Sequence, residues 1–216
     1  MKKVLLIAVA ALFAASAAQS QDVYKQTGGE KNLEVLFAPL GGSPIGINGI
    51  KFRTFTSATT AIRGEVFLGF NSSADKRLET DSEGDEQELK DSESAFDISV
   101  NIGIENHFAG TDRLSPYVGV VGIVGFSNST EKSEFLSGTD IEEGTTKNGS
   151  LSFGANAVAG CDFYFADNIY IGAELGFGAL FTTEFDTKQE STVEGSETIE
   201  TPNGNSFSIG PNVVGA

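Results

Sequence analysis

Tryptophan is absent from this 216-residue chain, and cysteine, methionine and histidine occur once each. A single cysteine leaves no internal disulfide to form, and one cysteine with one histidine excludes a zinc site built from clusters of those residues. Any Ser-His-Asp or Cys-His arrangement would need His107, which is expected on a short turn between two strands, as a structural turn residue. Basic residues are scarce too: 14 Lys and Arg face 30 Asp and Glu, a net charge of −16 that argues against nucleic acid as a partner. Beyond the N-terminus no apolar run reaches the roughly 20 residues of a spanning helix. GVVGIVG (Gly119 to Gly125) lies within a strand pattern with no helix after it, so it is no phosphate loop. No catalytic residue, cofactor or metal site is therefore expected.

The N-terminus carries an export pattern. Lys2 and Lys3 precede the apolar run Val4 to Ala18, and polar QSQD follows at once. A charged start, a short apolar stretch and small residues at the exit describe a secretory signal peptide over residues 1–20, with cleavage expected after Ala18 or Ser20. Residues 21–216 then form a single all-β domain.

Within it, AFDISVNIGIENHF (Ala95 to Phe108) alternates without a fault. Phe96, Ile98, Val100, Ile102 and Ile104 project to one side; Asp97, Ser99, Asn101, Gly103 and Glu105 project to the other, because successive strand side chains point to opposite faces. Eight such segments are expected near 31–39, 46–55, 61–70, 95–106, 116–126, 150–164, 168–181 and 205–216. Most have about the 9 to 11 residues that a tilted strand needs to cross a bilayer. Apart from a short first one, the connections alternate long and short, the pattern of an up-and-down transmembrane β-barrel with short turns at one rim.

Charge follows the same division. The expected long loops 71–94, 127–149 and 182–204 hold twenty acids against six bases, an acidic crown at one rim. Sorting the strands by face puts Leu33, Val35, Phe37, Ile50 and Phe52 with the Phe96 row, facing lipid. Glu34, Lys51, Arg53, Arg63, Glu65, Asp97, Glu105, Asp162 and Glu174 fall on the opposite face, too many ionisable groups for an apolar core. An eight-stranded barrel is just wide enough to be filled by side chains, so these nine are expected to form a plugged, ion-paired lumen. Cys161 falls on the apolar row of its strand as a small packing residue.

AGCDFYFADNIYIGAELGFG (Ala159 to Gly178), with its tight Asp-Asn turn, and SPYVGVVGIVGF (Ser115 to Phe126) resemble strands of the small "outer membrane protein beta-barrel domain" family, similar to the OmpA transmembrane domain and OmpX. The resemblance implies an eight-stranded antiparallel outer-membrane barrel, exported, with no catalytic motif to carry over. It also implies a final strand ending in an aromatic residue, whereas the sequence stops at NVVGA (Asn212 to Ala216), so that either the sequence is incomplete there or the barrel closes with a short final strand. The expected role is structural and surface-interacting: a monomer in outer-membrane lipids, its acidic loops offered to divalent cations or extracellular proteins. A soluble lipocalin-like ligand-binding barrel is the alternative, and a small-solute or ion conduit a third reading.

Overall fold

The computed structural model describes residues 24–37 and 47–211. The expected signal peptide and the terminal NVVGA lie outside them, as does the side chain of Phe37. No helix forms among the described residues; ten strand segments make one antiparallel sheet. They are β1 (Lys31–Phe37), β2 (Ile47–Phe55), β3 (Thr60–Thr80), β4 (Glu86–His107), β5 (Leu114–Ser137), β6 (Asp140–Ala166), β7 (Ile169–Glu184), β8 (Thr187–Ser191), β9 (Ile199–Thr201) and β10 (Asn205–Pro211). The path through the sheet is β1-β2-β3-β4-β5-β6-β7-β10.

Eight strands is therefore the right count for the sheet, because β8 and β9 extend two of them. After Glu184 the ladder between β6 and β7 resumes as β6 with β8, carried across the break by the amide of Phe185 donating to the carbonyl of Gly149 at 2.8 Å. The β9 segment pairs with β8, just ahead of β10 with β7. Asn203 patches the break, its side-chain amide donating to the Phe185 carbonyl and to Thr187 Oγ1, each at 2.8 Å.

Two of the three expected loops are mostly strand, and the third is about half strand. Residues 71–80 and 86–94 continue the β3–β4 ladder, 127–137 pairs with 140–149, and 182–204 contains β8 and β9. Alternating apolar residues stop near Phe70, Phe96 and Phe126, yet the backbone ladder does not need them: Ser, Thr and charged residues keep the extended conformation when both neighbouring strands are already aligned. Within these stretches the turns lie at Asp81 to Asp85, at Gly138 and Thr139, and between β8 and β9, where Gly84, Gly138 and Gly195 take positive φ. At the other rim the expected Asp-Asn turn between β6 and β7 is present, with Asn168 at φ 60°.

The sheet curls into a barrel. Arg53 on β2 lies 2.5 Å from Asp162 on β6, although four strand spacings separate them, roughly 19 Å in a flat sheet. Asn32 on β1 donates to the Tyr170 hydroxyl on β7 at 3.2 Å. Among the described residues β1 pairs only with β2, and β10 only with β7.

Candidate functional site

The inward rows of β1 to β7 meet near the short-turn rim in one buried ion network. Two residues apart on β2, Lys51 and Arg53 share a face, as do Arg63 and Glu65 on β3. Lys51 Nζ lies 2.9 Å from Glu34 and 3.7 Å from Glu174. The Arg53 guanidinium reaches Glu34 at 2.9 Å, Glu105 at 3.1 Å and Asp162 at 2.5 Å. Arg63 pairs with Glu65 and Glu105 and forks onto both carboxylate oxygens of Glu174, at 2.7 and 2.9 Å. Arg53, Arg63, Glu105 and Asp162 are sealed from solvent, with at most 1% of their surface exposed.

Tyrosine, histidine and amide groups complete it. The Tyr117 hydroxyl donates to Glu174 at 2.8 Å, and the Arg53 guanidinium sits over its ring at 4.7 Å. Asn101 donates to Glu65 at 3.0 Å. His107 is not the turn residue expected: it is the last residue of β4, buried, with Nδ1 2.9 Å from Ser115 Oγ and Nε2 3.3 Å from Glu105. Its position continues the row Asn101, Gly103, Glu105 by one more step of two, which is the signal that could have placed it.

Eight of the nine expected interior ionisable residues thus come together. Asp97 does not: it lies on the same row but eight residues further along β4, solvent-exposed and outside every ion pair among the described residues. Above the network the interior turns apolar at Val121, Ile123 and Val158. Val121 and Ile123 escaped face sorting because β5 is apolar on both faces and shows no alternation.

The opposite face of the sheet is apolar and open. Leu33, Val35, Ile50, Phe52, Phe96, Val100, Ile102 and Ile104 are exposed on it and Ile98 is half-buried. From Phe96 to Phe108 the strand direction covers roughly 40 Å, which a tilt of about 45° converts to nearly the height of a ~25 Å apolar band. Where this band meets polar sequence, phenylalanines line up across the sheet: Phe70 opposite Phe96, Phe126 beside Ile98, and Phe181 between Phe153 and Phe207.

Residues 59–208 match the model described as "Putative OmpA-OmpF-like porin family". The chain belongs to that family. It is an outer-membrane β-barrel protein, and its all-β, up-and-down sheet is the architecture the match calls for. No curated protein and no solved structure matches it.

In this family member the strand extensions carry a second charged region at the long-connection rim. Its bases are tied to neighbours: Lys76 to Glu88 at 2.5 Å, Arg77 to Glu79 at 2.8 Å and to Asp91, Lys132 to Glu143 at 2.9 Å, Lys147 to Glu190 at 2.8 Å and Lys188 to Glu200 at 2.9 Å. Only Lys90 has no ion pair there among the described residues. Most of the rim's twenty acids are left facing solvent without a cation. No group of His, Cys, Asp and Glu that could hold a metal ion occurs among the described residues.

Proposed function

We propose that this protein is a non-enzymatic outer-membrane barrel that anchors an acidic surface outside the cell. The single observation behind this reading is the contrast between the two faces of one sheet. An ion network fills the inside while an apolar band covers the outside, an arrangement that a soluble sheet protein would have inverted. Exposed Leu, Ile, Val and Phe then face acyl chains, the phenylalanine line sits at an interface, and the extended hairpins stand clear of the membrane. The short turns at residues 56–59, 108–113 and 167–168 face the periplasm, as short turns of such barrels do.

Intact cells give the test. Added protease should trim the protein near Gly84 or Gly138, the tips of the β3–β4 and β5–β6 hairpins, and leave the β2–β3 and β4–β5 turns uncut. Cleavage only after cell lysis would reverse the assigned orientation.

The family's porin description favours a second reading, a conduit for ions or small solutes. Against it stand three cations and five carboxylates packed across an eight-strand interior. Planar-bilayer recording of the native protein should show no steady conductance; reproducible channels would carry the conduit reading instead.

A further inference from the structure

A cavity of about 400 Å³ opens between the inner wall of the β5–β6 hairpin and the lobe formed by β8, β9 and their connection. That size lies in the range of roughly 300–1,000 Å³ usual for ligand sites. Its walls are of two kinds. Phe135 and Ile199 give apolar surface; Glu131 and Glu197 give carboxylates that have no ion pair among the described residues, while Glu190 is already held by Lys147.

The lobe is preformed. The amide of Thr192 donates to the carbonyl of Glu143 at 2.9 Å, the amide of Glu143 donates to Thr192 Oγ1 at 2.7 Å, and that hydroxyl also donates to Glu142. Inside the lobe, the Ser196 amide and hydroxyl both donate to the carbonyl of Val193, at 3.0 and 2.7 Å. A ligand entering here has little backbone to order, which lowers the entropic cost of binding.

We propose that this cavity docks a basic segment of an extracellular protein or peptide, seating a Lys or Arg side chain. Such a side chain has an aliphatic stem and a charged head, matching the apolar surface of Phe135 and Ile199 and the carboxylates of Glu131 and Glu197 that line the same cavity. An anion would meet carboxylates, and a wholly apolar ligand would cover those carboxylates without pairing them. Of the six basic residues on the rim, five are engaged with acids, and Lys90 lies on the outward row of β4, so no cation among the described residues competes for the cavity. The net field of the rim draws cations toward it from a distance. This inference rests on the outer-membrane reading with the long rim outside.

The test uses the full chain in detergent micelles at about 150 mM salt, where diffuse charge attraction is screened beyond ~8 Å. Two fluorescent hexapeptides serve as probes, alternating Ala with Arg and Ala with Glu. The arginine peptide should bind and the glutamate peptide should not. The double variant Glu131→Gln with Glu197→Gln should weaken binding about tenfold, the scale expected for two exposed charge contacts, and Phe135→Ser should weaken it too. A matched pair on the other hairpin, Glu83→Gln with Glu86→Gln, makes the same charge change and should alter affinity less than about twofold. Equal weakening by both pairs, or no binding of the arginine peptide, overturns the proposal. Folding of each variant is read from unboiled gel mobility. A wild-type protein that binds the peptide yet behaves as a soluble protein would sink the membrane reading alone.

Discussion

Arg53 is the residue on which the interior turns, since three carboxylates on three different strands share its guanidinium. Arg53→Met keeps much of the volume and removes the charge, leaving Glu34, Glu105 and Asp162 with no common cation. A buried pair broken from one side loses about 3–5 kcal/mol, so the urea midpoint of the folded band should fall sharply. Asp97→Asn, on the same sheet face but in solvent, should change stability by less than about 0.5 kcal/mol. The residue opposite Tyr117 on β6 is Gly160, and a Cβ there would stand 2.6 Å from the tyrosine ring and hydroxyl. Gly160→Ala should therefore cost about 1–3 kcal/mol by overpacking, read as a lowered unfolding temperature. Asp97 and Glu105 look alike in sequence, both acids on the polar row of β4. Only their height along the strand separates them, because the sheet curls tightly around Arg53 and Arg63 and opens further up.

Among elements, the β3–β4 hairpin owes its order beyond the apolar band to Arg77. Its guanidinium reaches Asp91 across the hairpin and the Glu134 carbonyl on β5, while Ser133 donates to Asp91 at 2.6 Å. The hydrogen bond from Arg77, and after it that from Ser133, holds the Asp91 carboxyl below its ordinary value of 3.8. A carboxyl depressed on folding stabilises above its unfolded value and loses that contribution as pH falls through the folded one. Hydrogen exchange in residues 75–91, corrected for intrinsic rate, should accordingly quicken below pH 3.8 relative to β5, and Arg77→Ala should give the same quickening at neutral pH. At the opposite rim, the segment before β1 reaches across the mouth: the Tyr164 hydroxyl on β6 bonds Gln26, and Arg113 donates to the Tyr24 hydroxyl at 2.8 Å. Tyr24→Ala with Gln26→Ala should raise amide exchange in β1 and leave β5 and β6 unchanged. Strand existence was legible from alternation, yet strand ends were not. Outside the apolar band the ladder is held by cross-strand charge pairs such as Lys76 with Glu88 and Lys132 with Glu143, and such pairs leave no periodic apolar signature.

The molecule as a whole should behave as a closed barrel in detergent. Extracted from the outer-membrane fraction and run with and without boiling, it should shift mobility on heating, because a cooperative sheet of eight strands resists detergent until it melts. A protein that stays soluble without detergent and shows no shift would put the apolar row of Phe96 to Ile104 against a water-excluded core and return the lipocalin-like reading. Period-two alternation, strand length and the spread of charge were enough to determine the all-β barrel class and which face the alternating strands such as β4 turn inward, since the pleat fixes side-chain direction locally. The meeting of Arg53 with Asp162, the continuation of β3 to β6 into the acidic rim and the cavity beside Phe135 came only with the tertiary structure. Those depend on sheet curvature and strand register, which bring together residues more than a hundred positions apart and which no local pattern encodes.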